Sequence, residues 1–114
     1  MNKEKIASLV EEIIEQSEKI FGDSLCEVII YGSYARGDYN SESDFDVMLL
    51  VKNDDYEIEK LHTKLVELSC DIQERYEVFL AIVAKNKQHF EQWSEHLPFY
   101  KNVNTEGKHY AIAA

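Results

Sequence analysis

The start of the chain carries apolar side chains at helical spacing. Glutamates occupy the opposite face of the same segment, so the pattern has the period of an amphipathic helix. The apolar positions of this face are Ile6, Leu9, Val10, Ile13 and Ile14. Gly22, which follows Phe21, is placed to end the predicted helix, because glycine is the residue that most often follows the last helical turn.

Two apolar runs rich in β-branched residues follow, Leu25 to Tyr31 and Phe45 to Val51. Runs of this length and composition predict β-strands. Neither run alternates strictly between apolar and polar residues, which indicates strands covered on both faces, as the inner strands of an α/β sheet are. The segment between them, rich in Gly, Ser, Asp and Asn, predicts a loop.

The second half of the chain predicts a helix, a strand and a further short helix. Asp54 and Asp55 are favourable at the start of the helix, since acidic side chains stabilise a helix N-terminus. Its apolar stripe consists of Ile58, Leu61, Leu65, Leu68 and Ile72. Residues 76–83 (YEVFLAIV) predict the third strand and residues 86–93 a short helix, and Pro98 is expected to break the chain.

This order of elements predicts an α/β (α+β) fold with a single domain over residues 1–114. A chain of 114 residues is long enough for one hydrophobic core and too short for two. Its apolar fraction of 45% fits an ordinary globular protein. Cys26 and Cys70 are too few for a disulfide framework. Neither a secretion signal nor a membrane span is apparent, so a cytoplasmic location is expected.

The formal net charge of −10 limits the kinds of partner. Proteins that bind long nucleic acids usually neutralise phosphates with clustered Lys and Arg, and the basic residues here are scattered among glutamates. A long nucleic acid is therefore an unfavourable partner. A small anion such as a nucleotide remains compatible with the charge, because a bound divalent cation can reverse the local field.

The loop between the first two strands contains the candidate chemistry. Residues 32–37 are Gly-Ser-Tyr-Ala-Arg-Gly, directly after the first strand. A strand that enters a Gly-Ser turn and then a short helix exposes backbone N–H groups that can hold phosphate oxygens. Gly32 allows close approach because it has no Cβ, and the Ser33 hydroxyl adds a further donor.

Asp44 and Asp46 lie at the start of the second strand. Two residues apart, their side chains point to the same face, where the carboxylates repel one another unless a cation neutralises them. Magnesium suits this position, since it takes oxygen ligands and bridges carboxylates to phosphates. The alternative is that Asp44 caps a turn and Asp46 faces solvent.

The combination of Gly-Ser-x-Ala-Arg-Gly with Ser-Asp-x-Asp resembles the minimal nucleotidyltransferases (MNT) of the DNA polymerase β superfamily. The resemblance implies a polymerase β-type palm, a small mixed sheet with helices packed on it. It implies that Gly32 and Ser33 bind the phosphates of ATP, and that Asp44 and Asp46 bind two magnesium ions.

The family usually has a third carboxylate on a neighbouring strand, and Glu77 is the candidate for this metal-binding and catalytic position. An exposed Glu at a strand end is an equal alternative, and Asp71 and Glu74 are weaker candidates. Arg36 matches the family motif and is expected to pair with phosphate, with Asp44, or in a structural ion pair.

Aromatic residues outside this motif allow two interpretations. Tyr34 and Tyr39 could stack on a base, although loop tyrosines often have no such role. Trp93, Phe99 and Tyr100 are most simply core residues, with contact to a partner as the alternative.

Three functions follow as hypotheses. The first is a magnesium-dependent transfer of AMP from ATP to a hydroxyl on a partner protein. The resemblance implies that this partner is a HEPN-type toxin, which the chain neutralises as its antitoxin. The second is a non-catalytic module that neutralises a partner by contact. The third is a small-molecule nucleotidyltransferase of the antibiotic-modifying kind, acting as a homo-oligomer.

Overall fold

Residues 1–112 are the part of the chain that the computed structural model describes. The helices are α1 (Lys3–Phe21), α2 (Ser33–Arg36), α3 (Asp55–Lys60), α4 (His62–Tyr76), α5 (Lys87–Trp93) and α6 (Pro98–Glu106). The strands are β1 (Leu25–Tyr31), β2 (Phe45–Val51), β3 (Leu80–Asn86) and β4 (Lys108–Ala111). The first two strands have the bounds that the sequence predicts.

The four strands form one mixed sheet in the order β3-β2-β1-β4. β1 pairs antiparallel with both β2 and β4, and β2 pairs parallel with β3. β1 and β2 are therefore the inner strands, as their largely apolar runs predict. The predicted α/β class with a small mixed sheet is confirmed.

Each face of the sheet has its own core, because neighbouring side chains of a strand point to opposite faces. One core lies under α1 and α4 and includes Val47 and Leu49 of β2. The other lies under α5 and α6 and includes Met48 and Leu50 of β2. Asp46 therefore has its side chain on the α5–α6 side.

The predicted helix after β2 consists of two helices, α3 and α4, that meet at Leu61. Asp54 accepts from the backbone N–H of Glu57, and the Glu57 carboxylate accepts from Asp54 N–H, so a capping box begins α3. Leu61, at φ −94° and ψ 2°, departs from helical geometry. The apolar stripe continues across this break, since Leu65, three residues after α4 begins, is buried.

The predicted bounds of the third strand are wrong, because α4 continues through Tyr76 and β3 begins only at Leu80. Tyr76 packs against the core, and its hydroxyl lies 3.0 Å from Ser8 Oγ of α1. An aromatic residue at position 76 fits the apolar stripe of a helix as well as a strand, so the sequence pattern did not distinguish the two. The side chain of Gln73 then accepts from Leu80 N–H at 2.8 Å and fixes the entry to β3.

The end of the chain differs from the sequence prediction at two points. Pro98 begins α6, where a proline needs no N–H partner, rather than only breaking the chain. β4 was not predicted and pairs with β1. Tyr100 is buried, as core packing predicts, whereas Trp93 and Phe99 are 40% and 50% exposed. No helix within residues 1–112 has the length and apolar content needed to cross a membrane.

Candidate active site

The Gly32 turn joins β1 to the short helix α2. Gly32 has φ 74° and ψ −154°, a conformation that is essentially restricted to glycine. Its carbonyl accepts from the N–H groups of Ala35 and Arg36, at 3.1 Å each. The first N–H groups of a helix have no helical acceptor, and Ser33 and Tyr34 occupy those positions here. A turn of this form can bind phosphate oxygens through these N–H groups.

Asp44 and Asp46 lie at the β2 end of the same site. Asp46 is half-buried in β2, and Asp44 is exposed just before the strand begins. Burial raises the pKa of the Asp46 carboxyl, the charge of Asp44 raises it further, and Arg36 acts in the opposite direction. The two carboxylates therefore repel one another, as their spacing predicts.

Gly32 and Asp46 are in direct contact. A Cβ placed on Gly32 would overlap Asp46 Oδ2 and would lie 3.2 Å from Asp46 Cγ. The absence of a side chain at Gly32 is what allows the carboxylate to lie against the Gly32 turn. The structure thus brings together the two halves of the motif.

Tyr31 is a residue of this site that the sequence analysis did not identify. It lies opposite Asp46 in the β1–β2 pairing, and directly opposed residues of antiparallel strands have their side chains on the same face. Burial and then the charge of Asp46 raise the pKa of Tyr31 to about 12. The sequence offered one signal for Tyr31. It is the last residue of β1, directly before Gly32, and β1 and β2 are equally long, so an antiparallel pairing places the end of β1 beside the start of β2, where Asp46 lies.

Arg36 forms ion pairs that connect α2 to α6. Its Nε lies 3.3 Å from Asp38 Oδ2, and its guanidinium Nη1 lies 3.4 Å from Glu106 Oε2. Among the ion pairs of residues 1–112, Arg36 has none with Asp44, which the sequence had allowed. The predicted structural ion pair is present, and Arg36 still lowers the pKa of Asp46.

Tyr34 and Tyr39 stack on each other rather than presenting free faces to a base. Their ring centroids are 4.3 Å apart with planes at 12°. Tyr34, only 7% exposed, also packs against Phe45 at 4.9 Å. The Tyr39 hydroxyl donates to the carbonyl of Met1 at 3.2 Å. The two rings therefore hold the motif loop against the core.

The prediction that Glu77 supplies the third carboxylate is wrong. Glu77 is an exposed residue that ends α4 in the left-handed conformation, with φ 53° and ψ 44°, and it lies outside β3. The residue of β3 opposite Asp46 is Ala81. Within residues 1–112, no group of three His, Cys, Asp or Glu side chains is arranged to hold a metal ion.

The weaker candidates for the third carboxylate lie on α4. Asp71 Oδ2 pairs with Arg75 of the same helix at 2.8 Å. Glu74 is exposed on this helix, which packs on the sheet face opposite to the side chain of Asp46. Neither residue therefore joins the two aspartates.

The two aspartates fit a magnesium ion by their chemistry. Both offer carboxylate oxygens, the ligands that this ion prefers, and phosphate oxygens of a nucleotide can complete its coordination. The repulsion that raises the pKa of Asp46 is the kind that a cation relieves. The fit rests on Asp44 and Asp46 alone.

Comparison with known proteins identifies relatives over most of the chain. The sequence profile described as "Nucleotidyltransferase domain" matches residues 8–106. MJ0604, a candidate protein adenylyltransferase of Methanocaldococcus jannaschii, is 32% identical over 112 residues, which cover 95% of this chain and 97% of MJ0604. MJ0141, a second candidate protein adenylyltransferase of that organism, is 34% identical over 83 residues, 73% of this chain and 82% of its own.

Solved structures share the fold at lower identity. A toxin–antitoxin structure with AMP-PNP has a TM-score of 0.56 at 18% identity, covering 90% of this chain and 73% of the other. A variant of the toxin–antitoxin pair MntA–HpeT has a TM-score of 0.51 at 19% identity, covering 99% of this chain and 74% of the other. These similarities establish the fold.

Proposed function

Because this chain belongs to the nucleotidyltransferase domain family, we propose that it transfers AMP from ATP to a hydroxyl on a partner protein. The contact between Asp46 and the Gly32 turn carries the proposal, since it joins a carboxylate pair to a phosphate-binding turn. The relatives described as candidate protein adenylyltransferases support AMP as the group transferred and a protein as the acceptor.

In this proposal different residues of the motif bind the phosphates of ATP and the metal ions. The N–H groups of the turn and the Ser33 hydroxyl hold the β- and γ-phosphates. Asp44 and Asp46 would hold two magnesium ions, which when bound supply electrophilic activation and neutralise charge on the phosphates. The acceptor oxygen forms a bond to the α-phosphorus, and the bond from that phosphorus to the oxygen bridging to the β-phosphate breaks. Pyrophosphate leaves, and the hydroxyl proton passes to water on the exposed Asp44 side.

We propose a HEPN-type toxin as the partner, and an antitoxin role for this chain. Both solved structures described above are toxin–antitoxin structures, one of them with AMP-PNP. Asp44 is exposed just before the strand that carries Asp46. An acceptor side chain from a second protein can therefore approach the α-phosphate from this side.

A second candidate function is neutralisation of the partner by contact alone. The observation that favours it is the absence of a third carboxylate near Asp44 and Asp46 in the described residues. A site with two acids can bind a metal–nucleotide complex and still transfer AMP slowly or not at all. The two functions differ in whether the partner becomes labelled.

Transfer from isotopically labelled ATP tests the proposal. The chain is incubated with Mg²⁺ and a HEPN-type toxin, using ATP labelled at either the α- or the γ-phosphate. AMP transfer labels the partner from the α-position only, and Asp46→Asn abolishes the label. Toxin inhibition without label would support the contact mechanism instead. Label from the γ-position would exclude nucleotidyl transfer.

A further inference from the structure

An aromatic pair lies beside the carboxylates and has no part in the chemistry described so far. Tyr31 is opposite Asp46 across the β1–β2 pairing. The ring of Phe99, from α6, meets the Tyr31 ring with centroids 5.8 Å apart and planes at 79°. Phe99 therefore contacts Tyr31, the residue opposite Asp46, the candidate metal ligand.

Phe99 is held in place although half of it is exposed. Its neighbour Tyr100 is buried and packs against Phe90, with ring centroids 5.1 Å apart, which anchors the start of α6. The ion pair between Glu106 and Arg36 attaches the other end of α6 to the motif helix. Because Tyr100 anchors the start of α6 in the core, the exposed Phe99 ring can receive a flat ligand without the ordering of a flexible segment.

We propose that Tyr31 and Phe99 form the subsite for the nucleobase of the bound nucleotide, an inference that rests on the proposed function. Stacking on an aromatic ring is the common way for a protein to hold a base, since every base has a π-face. The subsite lies on the sheet face that carries Asp46, whereas the phosphates bind at the Gly32 turn. An uncharged aromatic surface also suits a base in a protein with a net charge of −10.

Phe79 is the competing aromatic residue at this end of the sheet. It is 72% exposed, and its carbonyl accepts from Phe45 N–H at 2.7 Å, so it lies next to the start of β2. Within residues 1–112 no other aromatic ring packs against it. Phe99 has such a partner in Tyr31, and this partner faces Asp46, which favours Phe99 over Phe79.

The test compares a nucleotide with its phosphate chain alone. Calorimetric titration in Mg²⁺ measures the affinity for α,β-methylene-ATP, which cannot release pyrophosphate, and for inorganic tripolyphosphate, which has no base. Phe99→Ala should bind the nucleotide about 5- to 150-fold more weakly, the range that loss of one stacking contact produces. Its affinity for tripolyphosphate should not change. Phe99→Leu, which keeps apolar packing, should behave like Phe99→Ala, and Phe99→Trp should restore nucleotide binding.

Two further variants complete the design. Tyr56→Ala removes another exposed ring, 69% exposed, from α3 at the other end of β2 and should change neither affinity. If Phe79→Ala rather than Phe99→Ala weakens nucleotide binding selectively, the base lies on the β3 side and the inference is wrong. Equal loss of both ligands in Phe99→Ala and Phe99→Leu would also overturn it, because it would indicate a structural role.

The same titrations separate the inference from the proposed function. If the wild-type chain binds neither ligand in Mg²⁺, both fail. If it binds the nucleotide, Asp46→Asn loses that binding and the Phe99 variants retain it, the proposed function stands and only the base subsite is refuted.

Discussion

Gly32 and Asp46 touch at the junction of the two halves of the motif. The carboxylate of Asp46 occupies the space that a Cβ on Gly32 would need, and the backbone of Gly32 has φ 74°. Glycine is therefore required at position 32 for two reasons. It adopts this backbone conformation without strain, and it leaves the space that the Asp46 carboxylate occupies.

Gly32→Ala should therefore abolish nucleotide binding as well as lower stability. The backbone strain costs about 1–3 kcal/mol, because the conformation is one that essentially only glycine adopts. The new methyl must also displace Asp46. We expect a lower melting temperature and no further shift when Mg²⁺ and ATP are added.

Gly22→Ala is the matched control for this prediction. Gly22 has a similar backbone conformation, φ 57° and ψ −135°, but no atom lies within 4 Å of a Cβ placed there. Gly22→Ala should lower the melting temperature through backbone strain alone while keeping the full shift with Mg²⁺ and ATP. Loss of that shift in Gly22→Ala would mean that strain alone explains the effect at Gly32.

Asp46→Asn should remove ligand binding without destabilising the free protein. Burial and Asp44 raise the pKa of Asp46, so its ionised form is less favourable in the folded chain than in the unfolded chain. At neutral pH the Asn variant should melt at the same temperature as wild type or higher, and addition of Mg²⁺ and ATP should not raise it.

The pH dependence of this difference has a definite sign. A carboxyl whose pKa is raised on folding destabilises the folded state above that pKa and does so no longer once it is protonated. Any advantage of Asp46→Asn should therefore shrink as the pH falls through the carboxyl range. Melting curves from neutral to acidic pH measure it. An advantage that grows on acidification would contradict the assigned environment of Asp46.

The two inner strands and the motif were predictable because their signals are local. The runs of β1 and β2 are largely apolar and are bounded by glycine or polar residues. Asp44 and Asp46 follow the Gly32 turn closely in sequence. The antiparallel pairing of β1 with β2 alone is enough to bring the aspartates to the Gly32 turn. The fold class followed from the same order of elements.

The features that were missed depend on contacts between distant segments or lack a sequence signal. β4 is a short, largely exposed strand that is stabilised by pairing with β1, far away in the chain. Phe99 reaches Tyr31 only because α6 crosses that face. The end of α4 was hidden because Glu77, rather than glycine, occupies the left-handed position.

Glu77 should be replaceable without loss of activity. Glu77→Gln should transfer AMP at the wild-type rate, because Glu77 does not join the aspartates. Glu77→Gly should stabilise the fold by about 0.5–1 kcal/mol, since glycine adopts positive φ without the penalty that a side chain imposes. Chemical denaturation measures this gain. Glu74→Gly, within the same helix, should destabilise by about 1 kcal/mol and serves as the control. A large loss of transfer in Glu77→Gln would return this residue to the site.

Arg36→Ala should shift the pH range in which nucleotide binds. Arg36 lowers the pKa of Asp46, so its removal lets protons compete better with magnesium for this carboxylate. Binding of α,β-methylene-ATP in Mg²⁺ should then require a higher pH than in wild type. The change in stability should be small, because the ion pairs of Arg36 are largely exposed.

Glu106→Ala separates this electrostatic effect from the loss of the ion pair. It breaks the contact between α2 and α6 but leaves the positive charge of Arg36 near Asp46. We expect its binding curve against pH to remain at or below the wild-type position, whereas that of Arg36→Ala moves upward. If both variants move upward equally, Arg36 acts by positioning α6, and its charge has no direct effect on the carboxylate.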